Sequence, residues 1–191
     1  MKLYFRILLY ITLILFQFSC KSDSNISVYK IKKINTSSSK INANQNNRYL
    51  NWTAPNNWIE KAPKDFRLAS FDIPISNGKM IDLSITTFPG DAGGIEQNVN
   101  RWRRQLNLDP KKINQILENS QKTSSMLGEY FIFDLNNPDN NNSIVAALIP
   151  YSDNNQTVSE TIFIKMNGSI MALQELKYEF DLFCKSLHWA Q

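Results

Sequence analysis

The stretch RLASFDIPISNGKMIDLSITTF, Arg67 to Phe88, decides the fold. Its first part sets Ala69, Phe71 and Ile73 against Leu68, Ser70 and Asp72. Its last part sets Ile81, Leu83, Ile85 and Thr87 against Asp82, Ser84 and Thr86. A period of two, apolar on one side and mostly polar on the other, is that of a half-buried strand. Between the two runs lies Asn77-Gly78, a pair that favours the backbone of a tight hairpin turn. The stretch therefore predicts two antiparallel strands.

Outward toward the C-terminus, Pro89-Gly90-Asp91-Ala92-Gly93-Gly94 breaks the second strand. Ile95, Val99, Trp102 and Leu106 then recur at helical spacing and mark the apolar stripe of an amphipathic helix that Asn107 ends. Asp109-Pro110 is expected to open a second helix, with Pro110 in the first turn and Ile113, Ile116 and Leu117 on its apolar face. Glu129 to Leu135 reads as a third strand, and Asn136 to Asn142 as a loop. Ser143 to Pro150, apolar throughout, reads as a central fourth strand, and Thr157 to Met166 as a fifth. Asn167-Gly168 is expected to turn the chain into a closing helix from Met171 to Leu187, packed through Leu173, Leu176, Phe180, Phe183 and Leu187. The expected class is α/β: an antiparallel-rich sheet of about five to six strands packed with two to three helices.

Toward the N-terminus, Trp52 to Trp58 flank a Pro-Asn-Asn turn and open a single globular domain spanning 48–191. Before it, 20–47 is rich in Ser, Asn and Lys and reads as a flexible polar tether. Residues 1–19 carry Lys2 and Arg6 and then an apolar run from Ile7 to Phe16, too short to span a bilayer, which is the pattern of a cleaved signal peptide. The run stops at Gln17-Phe18-Ser19-Cys20. This segment resembles a bacterial lipoprotein signal, with Ser19 the small residue before a lipid-bearing Cys20, although Gln17 replaces the usual Leu and Phe18 is bulky. The resemblance implies attachment to a membrane through lipid on Cys20. By analogy with the sorting of Gram-negative lipoproteins, the resemblance also implies that Lys21 in place of Asp favours the outer membrane, on its periplasmic face or at the surface, over the inner.

The chain carries a formal net charge of +4. Eight of its basic residues and one acid precede Tyr49, so 13 basic and 16 acidic residues remain from Tyr49 to Gln191. A mildly acidic domain lacks the cationic footprint that nucleic acid requires, and none is expected as a partner. With Cys20 lipidated, Cys184 stands alone and is expected as a small buried hydrophobe. The single histidine, His188, cannot build a multi-His metal site, and it sits in an end expected to fray. No catalytic residue, metal or cofactor is expected.

The pieces Trp52 to Trp58, Arg67 to Phe71, Pro89 to Gly94, Asn98 to Leu106 and Phe163 to Gly168 together resemble uncharacterised lipoproteins of the planctomycete–verrucomicrobial type. More distantly, the Trp/Pro opening, the strands and the closing helix are similar to the PsbP/Mog-like fold, whose members are mostly binding and assembly factors. The first resemblance implies class and location without chemistry; the second implies a binding role by analogy of fold.

The candidate ligand or structural motif is Gly90, Asp91, Gly93 and Gly94 leading into a helix with Asn98, Arg101 and Arg104. Free amides at a helix start can cradle an anion. The competing reading is that the glycines supply turn dihedrals and Asp91 caps the helix. Asp72, Asp82 and Asp134 are expected on the solvated faces of strands, and Trp52, Trp58, Trp102, Phe163 and Phe180 as core or as the lining of an apolar pocket. The leading expectation is a binding or assembly module of the cell envelope with an unidentified protein partner. The alternative is a periplasmic small-ligand binder or enzyme centred on Gly90–Arg104.

Overall fold

A computed structural model of the chain describes residues 49–62, 64–152 and 157–190. The expected signal peptide, Cys20 and the whole of the expected tether lie outside the described residues. Strands β1 (Tyr49–Asn51) and β9 (His188–Ala190) pair as a small antiparallel sheet. The main sheet has seven strands: β2 (Ile59–Lys61), β3 (Arg67–Pro74), β4 (Met80–Pro89), β5 (Ser120–Ser125), β6 (Gly128–Asn137), β7 (Asn142–Ser152) and β8 (Val158–Ser169). They lie in the order β2-β3-β4-β8-β7-β6-β5, antiparallel throughout. Among the described residues three helices join them: α1 (Gly94–Gln105), α2 (Ile113–Glu118) and α3 (Ile170–Ser186).

The hairpin forms where Asn77-Gly78 predicts it. Gly78 takes φ +76° and its N–H donates to the Ile75 carbonyl at 2.9 Å, while the Ile75 N–H donates to Lys79 at 3.0 Å. This is a three-residue loop closed by a left-handed glycine. Helix α1 stops at Asn107, whose φ is +57°. The Asn107 N–H reaches the Arg104 carbonyl at 3.0 Å and the Leu108 N–H reaches Arg103 at 2.9 Å, the double bond of a Schellman ending.

Strand β7 is apolar on both sides, and both sides are buried. Val145, Ala147 and Ile149 join one core with Phe71, Leu83, Ile164 and the inner face of α3. Ile144, Ala146 and Leu148 join a second core with Phe133, Phe163 and the helix residues Val99, Trp102, Leu106 and Ile116. The aromatic set divides accordingly. Trp58 and Phe180 belong to the first core, with Trp52 packed against it, while Trp102 and Phe163 belong to the second, so the sheet separates them and they share no pocket. Phe183 anchors the first core, its ring centroid 5.0 Å from Trp58, 5.6 Å from Phe71 and 6.4 Å from Trp52.

Several local expectations are corrected. Strand β5, SQKTSS, takes the polar edge of the sheet where no strand was expected. Asn167-Gly168 is not a turn: it continues β8, opposite Asp82 and Ser143, and Ser169 caps α3 by accepting from the Ala172 N–H at 3.4 Å. Helix α2 begins at Ile113, after Pro110, where the Gln115 side chain accepts from the Lys112 N–H at 3.2 Å. His188 is not in a frayed end, since it pairs with Asn51 in the small sheet. Among the described residues no helix is long and apolar enough to cross a membrane.

Because Phe183 is fully buried among three aromatic rings, Phe183→Ala should cost about 3–5 kcal/mol of stability by chemical denaturation of the full chain. A loss below about 1 kcal/mol would mean that this cluster does not hold α3 to the sheet.

Candidate functional site

Helices α1 and α2 reach only part of the sheet face they cover. Their apolar side chains pack on β6, β7 and β8. On the same face, β3 and β4 present Ser70, Asp72, Asp82, Ser84 and Thr86, which belong to neither apolar core. The strand register sets these residues in rows. Lys61 lies opposite Ser70, Ser70 opposite Ser84, and Ser84 opposite Lys165. In the next row Asp72 lies opposite Asp82, and Asp82 opposite Asn167.

Ion pairs bind this half-face together. The Lys61 ammonium donates to Asp72 at 2.6 Å and to Asp82 at 2.8 Å. The Arg67 guanidinium meets both oxygens of Asp82 at 2.9 Å and donates to the Ser70 hydroxyl at 3.2 Å. Burial pushes the Asp82 carboxyl up, but the hydrogen bonds from Arg67 and Lys61 outweigh it and hold the group below its ordinary value. Hydrogen bonds from Asp72 and Asp82 raise Lys61. The two aspartates are therefore not independently solvated, as their pattern alone suggests. Asp134 is elsewhere, on the α3 side, paired with Lys177 at 2.8 Å.

The margin of the half-face next to α1 carries cations with no such partners. Lys165 donates to the side-chain oxygen of Gln105 at 3.1 Å, and Arg101 donates to that of Asn98 at 2.8 Å. Neither forms an ion pair among the described residues. Desolvation, reinforced by the positive charges of Arg101 and Arg67, holds the Lys165 ammonium below its ordinary value.

The glycine-rich turn is satisfied from within. Gly90, Gly93 and Gly94 all have positive φ, as does Ala92. The Gly90 N–H donates to Ser159 at 3.0 Å, and the Gly90 carbonyl accepts from Thr161 Oγ1 at 2.6 Å. Asp91 does not cap α1; that position belongs to Gly93, with no side-chain bond. Instead Asp91 accepts from the Gly93 N–H through its carboxylate at 3.1 Å and from the Gly94 N–H through its carbonyl at 2.9 Å. Asn98, buried beneath, donates to the carbonyls of Ala92 at 3.0 Å and Gly94 at 2.7 Å. Arg101 and Arg104 are seven and ten residues beyond Gly94, about 10 and 15 Å along the helix axis. Arg104 is exposed on the face of α1 away from the sheet. Of the seven motif residues, Gly90 to Asn98 thus close the turn and Arg101 lies toward the charged half-face.

A separate cleft of about 240 Å³ lies between α1, α2 and β6, lined by Arg103, Lys111, Gln115 and Asn119 among others. It is smaller than the roughly 300–1,000 Å³ of ordinary small-molecule pockets. Cys184 is fully buried and burial pushes its thiol well up, so it is a poor nucleophile. The His188 ring nitrogen contacts the Ser186 carbonyl at 2.9 Å. Among the described residues no group of His, Cys, Asp and Glu is placed to hold a metal.

The residues missed in sequence are Lys61, Arg67 and Lys165. A signal for the first two existed: Asp72 and Asp82 are equidistant from Asn77, so a hairpin turn there sets them face to face and in need of counter-charge.

The chain matches no family model and no curated protein. Among solved structures it is similar to the PsbP protein of the cyanobacterium Synechocystis (CyanoP), with 14% identity and a TM-score of 0.44 over 75% of this chain and 91% of that one. It is also similar to LpqN of Mycobacterium tuberculosis, described as involved in cell envelope biogenesis, with 7% identity and a TM-score of 0.47 over 78% of this chain and 88% of that one. A Bacteroides thetaiotaomicron protein is similar at 10% identity and a TM-score of 0.40, over 75% of this chain and 48% of that one.

Proposed function

We propose that this chain is a lipid-anchored binding module of the cell envelope whose recognition surface is the charged half-face of β2, β3 and β4. The observation that carries this reading is that α1 and α2 pack on β6, β7 and β8, leaving beside them a polar half-face on β2, β3 and β4 that is cross-braced by ion pairs. Such a surface offers fixed charges to a partner, and partners are selected by matching those charges. Its side chains are already positioned, which lowers the entropy lost on binding. Support for the anchor comes from the N-terminal pattern ending at Cys20. The glycine-rich turn is a weaker centre for recognition, because Asp91 already uses the amides of Gly93 and Gly94.

The two parts of the reading separate experimentally. Cys20→Ser should move the protein from the membrane to the soluble fraction and remove the acyl mass from its N-terminal peptide. Unchanged fractionation and mass would refute the lipoprotein assignment. Tagged full-length protein in detergent should retain a stoichiometric envelope partner that Lys61→Glu or Arg67→Glu releases without unfolding the domain. A partner that both variants keep would place recognition elsewhere.

Preformed charge also has a pH signature. Asp82 is held below its unfolded value, so its stabilisation is complete above the ordinary carboxylate range and is lost as pH falls through its folded value. Thermal scans from pH 6 down toward pH 3 should show a steeper fall in Tm for the native chain than for Asp82→Asn. Parallel curves would mean that the ion pairs are not formed in solution.

A further inference from the structure

We propose that Lys165 and Arg101, with Arg67, Gln105 and Ser84 around them, bind a phosphate group at the seam between α1 and the open half-face. The proposal rests on the reading of that half-face as the recognition surface and gives its ligand a chemistry.

Charge arithmetic motivates it. Four cations, Lys61, Arg67, Arg101 and Lys165, share this surface with two carboxylates, Asp72 and Asp82. Both carboxylates are taken by Lys61 and Arg67. The excess is two positive charges, and it sits at Lys165 and Arg101. A phosphate monoester carries close to two negative charges at neutral pH.

Placement supports it independently. Lys165 projects from an interior strand, between β4 and β7, into the angle where α1 meets the sheet. A neutral amide oxygen is its only hydrogen-bond acceptor among the described residues. A cation kept half-buried among like charges is destabilised until an anion joins it. Arg101 uses one nitrogen on Asn98, which fixes the guanidinium and leaves its other donors free among the described residues. Asn98, Arg101 and Gln105 are spaced three and four apart, so they form one stripe of α1 along the seam. The Arg101 guanidinium fork beside the Lys165 ammonium suits an oxyanion with several acceptor oxygens. The phosphate belongs either to a small soluble molecule or to the headgroup of an anionic lipid; the chemistry at the site is the same.

Calorimetric titration of the full-length chain in nonionic detergent at low salt tests this. The probes are inorganic phosphate, dihexanoylphosphatidic acid and dihexanoylphosphatidylcholine. Phosphate and phosphatidic acid should bind. Lys165→Met and Arg101→Gln should each weaken binding by roughly 10- to 100-fold. Lys185→Gln, whose lysine pairs with Asp181 on α3, should leave it unchanged. Lys165→Met should also be at least as thermally stable as the native chain, because it removes a desolvated charge; a structural lysine would show a lower Tm. Tighter binding of phosphatidic acid than of phosphate supports the site with a lipid headgroup as ligand, and equal affinities support it with a free phosphate. No heat with either phosphate probe overturns the proposal, as does affinity unchanged in both variants. The charge-dependent capture of a protein partner would survive either result, and its failure would leave phosphate binding standing.

Discussion

A sheet whose interior strands are apolar on both sides must be covered twice, and that constraint organises this domain. Strand β7 places alternate residues in two separate cores. Antiparallel sheets commonly leave one face to water; here water is excluded from the middle of both. Seven strands at about 4.8 Å spacing make a sheet roughly 29 Å wide, whereas a helix with its side chains is about 10 Å across. On one side α3 and the small β1–β9 sheet supply the cover. On the other, α1 and the short α2 protect only the β6–β7–β8 half, and the strands beyond must carry polar side chains.

Those side chains do more than tolerate water. Lys61, Asp72, Arg67 and Asp82 are each about a third exposed, where an ion pair contributes on the order of 0.2–1 kcal/mol. Stability alone does not account for four charges arranged so tightly. Geometry does better: Arg67 meets both oxygens of Asp82 while Lys61 bridges Asp82 to Asp72, so each side chain is fixed by at least one other. The result is a braced charged plane with two further cations at its margin, Lys165 from β8 and Arg101 from α1.

The sequence makes some of this legible and hides the rest for physical reasons. The hairpin and the α1 stripe are visible because each follows a clean period or a specific turn pair, and β7 because its apolar run is unbroken. Strands β1, β2 and β9 are three residues long, too short for a period to register. Strand β5 is polar on both faces, since it sits at the edge and needs only a backbone partner in β6. Asn167-Gly168 carries a turn signal that cross-strand pairing to β4 and β7 overrides. The charged half-face was partly legible: alternation gives its polarity, but Lys165 reaches it from a strand about eighty residues beyond its partner on β4, a pairing no local pattern specifies. In the glycine-rich turn, four of the five residues from Gly90 to Gly94 take positive φ, a backbone demand that a composition rich in glycine meets whether or not a ligand binds there.

The sign of the half-face is opposite to that of the domain around it. From Tyr49 onward acids outnumber bases, so a long polyanion approaching the domain meets net repulsion. Within the roughly 8 Å over which exposed charges act at physiological salt, however, a small anion at Lys165 and Arg101 meets mostly cations. On the proposed reading, the domain favours a compact phosphate over a long polyanion. That selectivity comes from where the sheet places its charges, with Asp72 and Asp82 neutralised by Lys61 and Arg67 so that the remaining two cations are left to face the seam.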